Sequence, residues 1–170
     1  VVSVYCNAQA IANRSISDII NYDIKKPSTE VLDGTPYLSD TFSTSKIDNV
    51  SNSIETRYNT YTDEIEFKLN GNIYILPKDG NLYNTISQNN GTIIKLINGS
   101  YYIMLSKFSK FNLLSKEKTS IDKNETTIKN GYTKEETPSY VKEKTVYYIS
   151  YNDKLLQIDK NFEVLKTNLN

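Results

Sequence analysis

Histidine and tryptophan are absent from the 170 residues, and cysteine occurs once, at Cys6. The missing histidine removes the side chain that titrates near neutral pH and the commonest metal ligand. Ser-His-Asp triads, Cys-His dyads and zinc sites are excluded with it. A single cysteine allows no intramolecular disulfide. Arginine is almost as scarce, with only Arg14 and Arg57. Arginine is the side chain suited to bidentate phosphate or guanine contacts. Lys+Arg and Asp+Glu are both 20. A neutral chain has no net field to steer it to nucleic acid or to an anionic membrane. Beyond Ala10 no apolar run approaches the roughly 18 residues of a spanning helix. No phosphate loop, dinucleotide fingerprint or nucleophile elbow is present. The absences point to a chain that is not an enzyme, takes no cofactor or metal, binds no nucleic acid and does not span a membrane.

The first ten residues, Val1-Val2-Ser3-Val4-Tyr5-Cys6-Asn7-Ala8-Gln9-Ala10, read as the tail of an export signal. An apolar run ends in the small-residue pattern Ala8-x-Ala10, which a signal peptidase cuts. The alternative is an N-terminal strand, because Val and Tyr favour extended backbone. Lipid attachment through Cys6 is disfavoured, since Tyr5 stands where a lipoprotein signal has a small residue. The expected organisation is a signal remnant over 1–10, a polar segment with a turn cluster over 11–53, and an antiparallel β domain over 54–170. The start at Val1 and the end at Asn170 lead to the expectation that the chain is cut at both ends. The expected location is exported: periplasmic, outer membrane-associated or extracellular.

Within 11–53, Ile16, Ile19, Ile20 and Ile24 sit at helical spacing, which predicts a short helix near 15–22. Asp33-Gly34-Thr35-Pro36 is a turn cluster, and residues 44–53 read as a loop. From Ile54 the pattern alternates. Ile65, Phe67 and Leu69 share one face, with Glu64, Glu66 and Lys68 on the other. Asn70-Gly71 and Asn98-Gly99 each separate two alternating runs, and Asn152-Asp153 is a weaker third case. Asn-Gly is the strongest short-range hairpin signal, because both residues tolerate positive φ. Phe111 to Leu114 adds a strand, residues 116–139 read as an exposed excursion, and Asn161 to Leu169 as a last strand or frayed end. The fold expected is mainly β: an antiparallel meander of hairpins forming a barrel or a sandwich, with at most one short N-terminal helix.

The densest polar segment runs from Glu55 to Glu66. Asp63, Glu64 and Glu66 could be an acid/base pair for glycoside hydrolysis. The plainer reading is a solvated strand face with Arg57 paired to a carboxylate, and it is preferred. Arg57, Tyr58, Tyr61, Asp63 and Glu64 are the candidate binding residues. The fourteen tyrosines invite a sugar- or peptide-stacking role, weighed against core and edge packing. Asp122 to Thr126 and Asp159 to Glu163 offer oxygens at alternate positions, but both lack the glycine and final glutamate of a calcium loop. They read as turns.

Gly34-Thr35-Pro36-Tyr37-Leu38, the segment Arg57 to Glu66 and Gly131-Tyr132-Thr133-Lys134 resemble, in order and spacing, an uncharacterised family of exported β-rich proteins of Bacteroidetes. The resemblance implies export and a β-rich fold, and it brings no activity. The function expected is a non-catalytic binding or scaffold module of the cell envelope with a protein partner. The alternatives are a β-barrel carrier of a small hydrophobic ligand and a carboxylate-dependent enzyme acting on glycans.

Overall fold

The computed structural model describes Ser15, Pro27 and residues 32–122, 138–152 and 154–158. The export segment, the helix expected near 15–22 apart from Ser15, the Gly131–Lys134 segment, the oxygen-rich stretches beyond Asp122 and from 159, and the last strand lie outside the described residues.

Twelve strands are described: β1 (Ser43–Ile47), β2 (Ile54–Asn59), β3 (Glu64–Leu69), β4 (Asn72–Ile75), β5 (Thr85–Gln88), β6 (Ile93–Ile97), β7 (Ser100–Lys107), β8 (Asn112–Lys116), β9 (Thr119–Asp122), β10 (Ser139–Lys142), β11 (Val146–Tyr151) and β12 (Lys154–Gln157). Ten form one antiparallel sheet in the order β12-β11-β8-β7-β6-β5-β1-β2-β3-β4, and β9 pairs with β10. The Asn-Gly hairpins form as the sequence predicts. Asn70 and Gly71 turn with φ of 49° and 78°, and Asn98 and Gly99 with 49° and 77°, so two left-handed residues in succession match the twist of the flanking strands. Asn152 opens the β11–β12 hairpin at φ 45°.

The antiparallel β fold is the one expected, with the barrel form of it not adopted: the sheet ends at β12 and at β4, where Pro77 follows and has no N–H to extend a ladder. Residues 44–47, expected as loop, and 119–122, expected within an exposed excursion, are strand instead: β1 is seated between β5 and β2, and Thr119 of β9 is buried. The inward positions of β1 are Ser45 and Ile47, both buried, and the Ser45 hydroxyl bonds the Thr56 hydroxyl at 2.7 Å. A hydroxyl pair inside the core hides the alternation that an apolar residue would have displayed.

The sheet coils on itself instead of closing. β2 and β7 have three strands between them, which in a flat sheet puts them about 19 Å apart. Yet the rings of Tyr58 and Tyr101 meet edge to face at 5.9 Å. The concave face carries the core, including Ile47, Ile54, Tyr58, Ile65, Phe67, Tyr83, Ile86, Ile94, Leu96 and Tyr101. Register assigns these side chains to one face, because cross-strand partners such as Tyr58–Ile65, Ile86–Ile94 and Leu96–Tyr101 point the same way. Around β7 the convex face is covered too. Tyr101 and its neighbour Tyr102 are 0% and 9% exposed, and Tyr102 packs edge to face on Tyr148 at 5.3 Å.

Candidate functional site

Alternation along β2 sends Tyr58 inward and Arg57 and Asn59 outward, opposite Glu66 and Glu64 of β3. This is the face expected to be solvated, and the structure corrects that: Glu66 is 1% exposed. The cover is the segment before β1. Leu38 N–H donates to the Tyr58 carbonyl at 2.9 Å and Thr60 N–H to the Pro36 carbonyl at 2.7 Å. Residues 39–42 then loop out before β1 begins. Tyr37 before the loop and Phe42 at its end lie on Arg57, whose guanidinium carbon is 3.6 Å and 4.4 Å from the two ring centres. Arg57 donates to Glu66 Oε2 through Nε at 2.9 Å and Nη2 at 2.7 Å. Nη2 also lies 2.6 Å from the Tyr37 hydroxyl, and Asn59 donates to Glu66 Oε1 at 3.4 Å. Burial raises the Tyr37 hydroxyl above its ordinary pKa, with the Glu66 charge adding and Arg57 opposing. The expected pairing of Arg57 with a carboxylate therefore holds, but in a covered setting.

Asp63 organises a second cluster at the β2–β3 turn. Its φ of 58° is left-handed, which Asp tolerates better than most residues. Asp63 Oδ1 accepts from the Tyr58 hydroxyl at 2.7 Å, from Lys116 Nζ at 2.6 Å and from the Tyr101 N–H at 3.3 Å, while Oδ2 accepts from Lys78 at 2.9 Å. The lysines also donate to the carbonyls of Tyr101 (2.9 Å) and Gly99 (3.0 Å). One carboxylate thus ties β2 to the start of β7 and the end of β8. Burial pushes its pKa up, but the hydrogen bonds from Lys116, Tyr58 and Lys78 outweigh this and hold it below the ordinary value. Burial also raises the Tyr58 hydroxyl, with Asp63 adding to the effect.

Thr60 makes a third junction. Its hydroxyl bonds Thr119 at 2.6 Å and Pro36 O at 2.9 Å and accepts from Lys142 at 3.2 Å. Lys142 donates further to the Tyr37 carbonyl. The β9–β10 pair is thereby fastened to the end of β2. Next to it Tyr61 is exposed and meets Tyr140 edge to face at 5.3 Å.

The five sequence candidates therefore do not form one site. Tyr58 and Asp63 are bonded to each other; Arg57 belongs to the outer pair with Glu66; Tyr61 sits beside β10; Glu64 is half-buried opposite Asn59. Tyr37, Phe42, Lys78, Lys116, Thr119 and Lys142 complete the clusters and were not singled out by sequence. For Tyr37 a signal existed, because the Gly34–Leu38 and Arg57–Glu66 segments are packed on each other. The lysines carry no local signal, because their partners are 15 to 105 residues away.

Between the 38–41 loop and the β5–β6 turn lies a cleft of about 340 Å³. Ser39, Thr41, Gln88, Asn90 and Thr92 supply neutral hydrogen-bonding groups, and Arg57, Tyr58 and Ile103 complete the lining with Leu38. Arg57 is the one charged lining residue, and Glu66 already neutralises it.

Comparison with protein-family models, curated proteins and solved structures gives no match. The chemistry is accordingly read from geometry. Glycoside hydrolysis needs two carboxyl groups facing each other across a sugar. Here Glu66 faces a stacked guanidinium, and Asp63 is saturated by two ammonium groups, a phenol and an amide. Among the described residues no group of three acidic or cysteine side chains gathers as a metal site, and no helix is long and apolar enough to cross a membrane.

Proposed function

We propose that this chain is a non-catalytic binding module, exported to the bacterial cell envelope, that receives an extended segment of a protein partner in the cleft between the 38–41 loop and the β5–β6 turn. The observation that carries this reading is the contrast between its charged and neutral groups. The carboxylates best placed for chemistry are consumed in ion pairs, whereas the cleft offers Ser39, Thr41, Gln88, Asn90 and Thr92. Such side chains pair with amides and carbonyls without a charge to desolvate. Loops held over a rigid sheet are the usual place for recognition. Export is supported by the Ala8-x-Ala10 pattern and by the resemblance to exported Bacteroidetes proteins. The carrier alternative has less support, because the concave face is filled by the rings of Tyr58, Phe67, Tyr83 and Tyr101.

The test is photocrosslinking of the full chain in an envelope extract, with the probe at Asn90 and, as control, at Lys154 of β12. A discrete protein adduct from position 90 alone, abolished by Thr41→Trp, is the expected result. No specific adduct, or glycan cleavage that disappears with Glu66→Gln, refutes the proposal.

A further inference from the structure

The β7–β8 hairpin ends differently from every other turn described. β7 is the longest strand among the described residues. Its last pairing with β6 is at Ile103, so beyond that residue the hairpin runs on without β6. A register shift between Met104 and Ser106 displaces Leu105 from the ladder, as a β-bulge does. Residues 105–110 are all exposed. Leu105 and Phe108 are 47% and 49% exposed. At the tip Phe108 and Phe111 stack with centres 4.6 Å apart, closed by a hydrogen bond from Phe108 N–H to the Phe111 carbonyl at 2.9 Å. Lys107 and Lys110 flank the rings.

Charge isolates this tip in a second way. From Gly80 to Lys116 the chain has no Asp or Glu, but it has Lys95, Lys107, Lys110 and Lys116. Lys116 is neutralised by Asp63, whereas Lys107 and Lys110 stand at the exposed end. The zero net charge of the whole chain conceals this local excess. Exposed aromatic and aliphatic side chains interleaved with lysines suit the boundary between anionic headgroups and acyl chains. The rings enter the apolar layer and the ammonium groups stay with the phosphates. A protein groove would accommodate the rings as well, but it gives no reason for a stretch of chain whose only charges are lysines.

We propose that the Leu105–Phe111 hairpin tip is a membrane-surface anchor that inserts Phe108, Phe111 and Leu105 into the interface of an anionic bilayer. The cleft shares Ile103 of β7 with this hairpin, but none of Leu105–Phe111 lines it, so the anchor does not rest on the partner reading.

Sedimentation of the full chain with phospholipid vesicles tests it. Binding to phosphatidylcholine vesicles containing phosphatidylglycerol is expected to exceed binding to phosphatidylcholine alone and to weaken as salt rises. Phe108→Ser is expected to reduce affinity about ten-fold or more, from the apolar surface no longer buried. Lys107→Glu with Lys110→Glu is expected to lose at least about 25-fold, from about five-fold per lysine. The charge-matched pair Lys46→Glu with Lys154→Glu is expected to lose less. Because the chain has no tryptophan, Phe108→Trp provides a single reporter whose emission shifts to the blue on insertion. Circular dichroism checks that each variant keeps the β fold. Equal binding to neutral and anionic vesicles, no binding at all, or self-association lost with Phe108→Ser in place of vesicle binding each overturns the proposal.

Discussion

Removing Arg57 while leaving Glu66 in place exposes the difference between a covered and a solvated strand face. An exposed ion pair is worth about 0.2–1 kcal/mol. A buried pair that loses one member costs about 3–5 kcal/mol, because the remaining charge stays desolvated without a counter-charge. Glu66 is 1% exposed, and besides the two bonds from Arg57 its carboxylate has only neutral donors described, Asn59 at 3.4 Å and the Tyr37 hydroxyl, neither of which supplies a counter-charge. Stacking of the guanidinium on Tyr37 and Phe42 adds about 0.5–1 kcal/mol each. Arg57→Ala is therefore expected to lower stability by at least about 3 kcal/mol. At a slope of about 2 kcal/mol per molar urea, the unfolding midpoint falls by about 1.5 M or more. Where Arg57→Ala does not fold, Arg57→Lys serves: it keeps the charge, loses the two-pronged geometry and the stacking, and shifts the midpoint in the same direction by less. The double variant Arg57→Met with Glu66→Leu is expected to stay within about 1 kcal/mol of the parent, since a buried ion pair replaced by apolar groups of similar volume is often neutral. Urea titration followed by circular dichroism measures all three. An Arg57→Ala midpoint within about 0.5 M of the parent refutes the covered-pair argument.

Asp63 sets the acid limb of stability. Its folded pKa lies below the ordinary 3.8, so between the folded and unfolded values the folded state binds fewer protons. The stabilisation is complete above about pH 4 and is lost as pH falls through the lower folded value. Asp63→Asn is expected to be less stable at neutral pH and to show a flatter acid limb in melts taken from pH 6 downward; a limb of unchanged slope contradicts this. The Tyr101 hydroxyl is buried without a partner among the described residues, so Tyr101→Phe removes an unsatisfied group and keeps the ring. It is expected to be neutral or more stable by up to about 1 kcal/mol, a Tm change of zero to about 4 °C upward, and a clear fall would show that the hydroxyl is satisfied. Gly34 has φ 79°, and a Cβ there would meet the Tyr140 carbonyl oxygen at 2.7 Å. Gly34→Ala is expected to cost about 1–3 kcal/mol and to speed hydrogen exchange at the Tyr140 amide, which donates to Asp33 O; an unchanged exchange rate rejects the claim.

Much of the fold was legible along the chain, because antiparallel hairpins are specified by neighbours. Two-residue alternation in β2, β3, β6 and β7 gave each strand its faces, and Asn70-Gly71 and Asn98-Gly99 gave the reversals, since few other residue pairs accept two positive φ angles. The candidate site was legible only in part. Arg57 and Asp63 stood out as chemistry-bearing residues, and the pairing of Arg57 with a carboxylate followed from charge on adjacent strands. That Glu66 is buried did not follow, because its cover comes from Tyr37 and Phe42, earlier in the chain and outside the strand pair. That β1 is a central strand was hidden by Ser45, a polar residue in an inward position whose hydroxyl is satisfied by Thr56 across the ladder and by the Ser43 carbonyl.

The sequence by itself determined what could not be built and where the chain reverses. It has no histidine for catalysis or zinc, no cysteine pair to staple it, and short alternating runs that bury one face only when laid side by side. Tertiary structure decided the rest through coiling of the sheet. Coiling brings β2 against β7, Asp63 onto Lys116, and Thr60 onto Thr119. These contacts join residues far apart in the chain, so their energies depend on how the sheet curves, which no local pattern of side chains records.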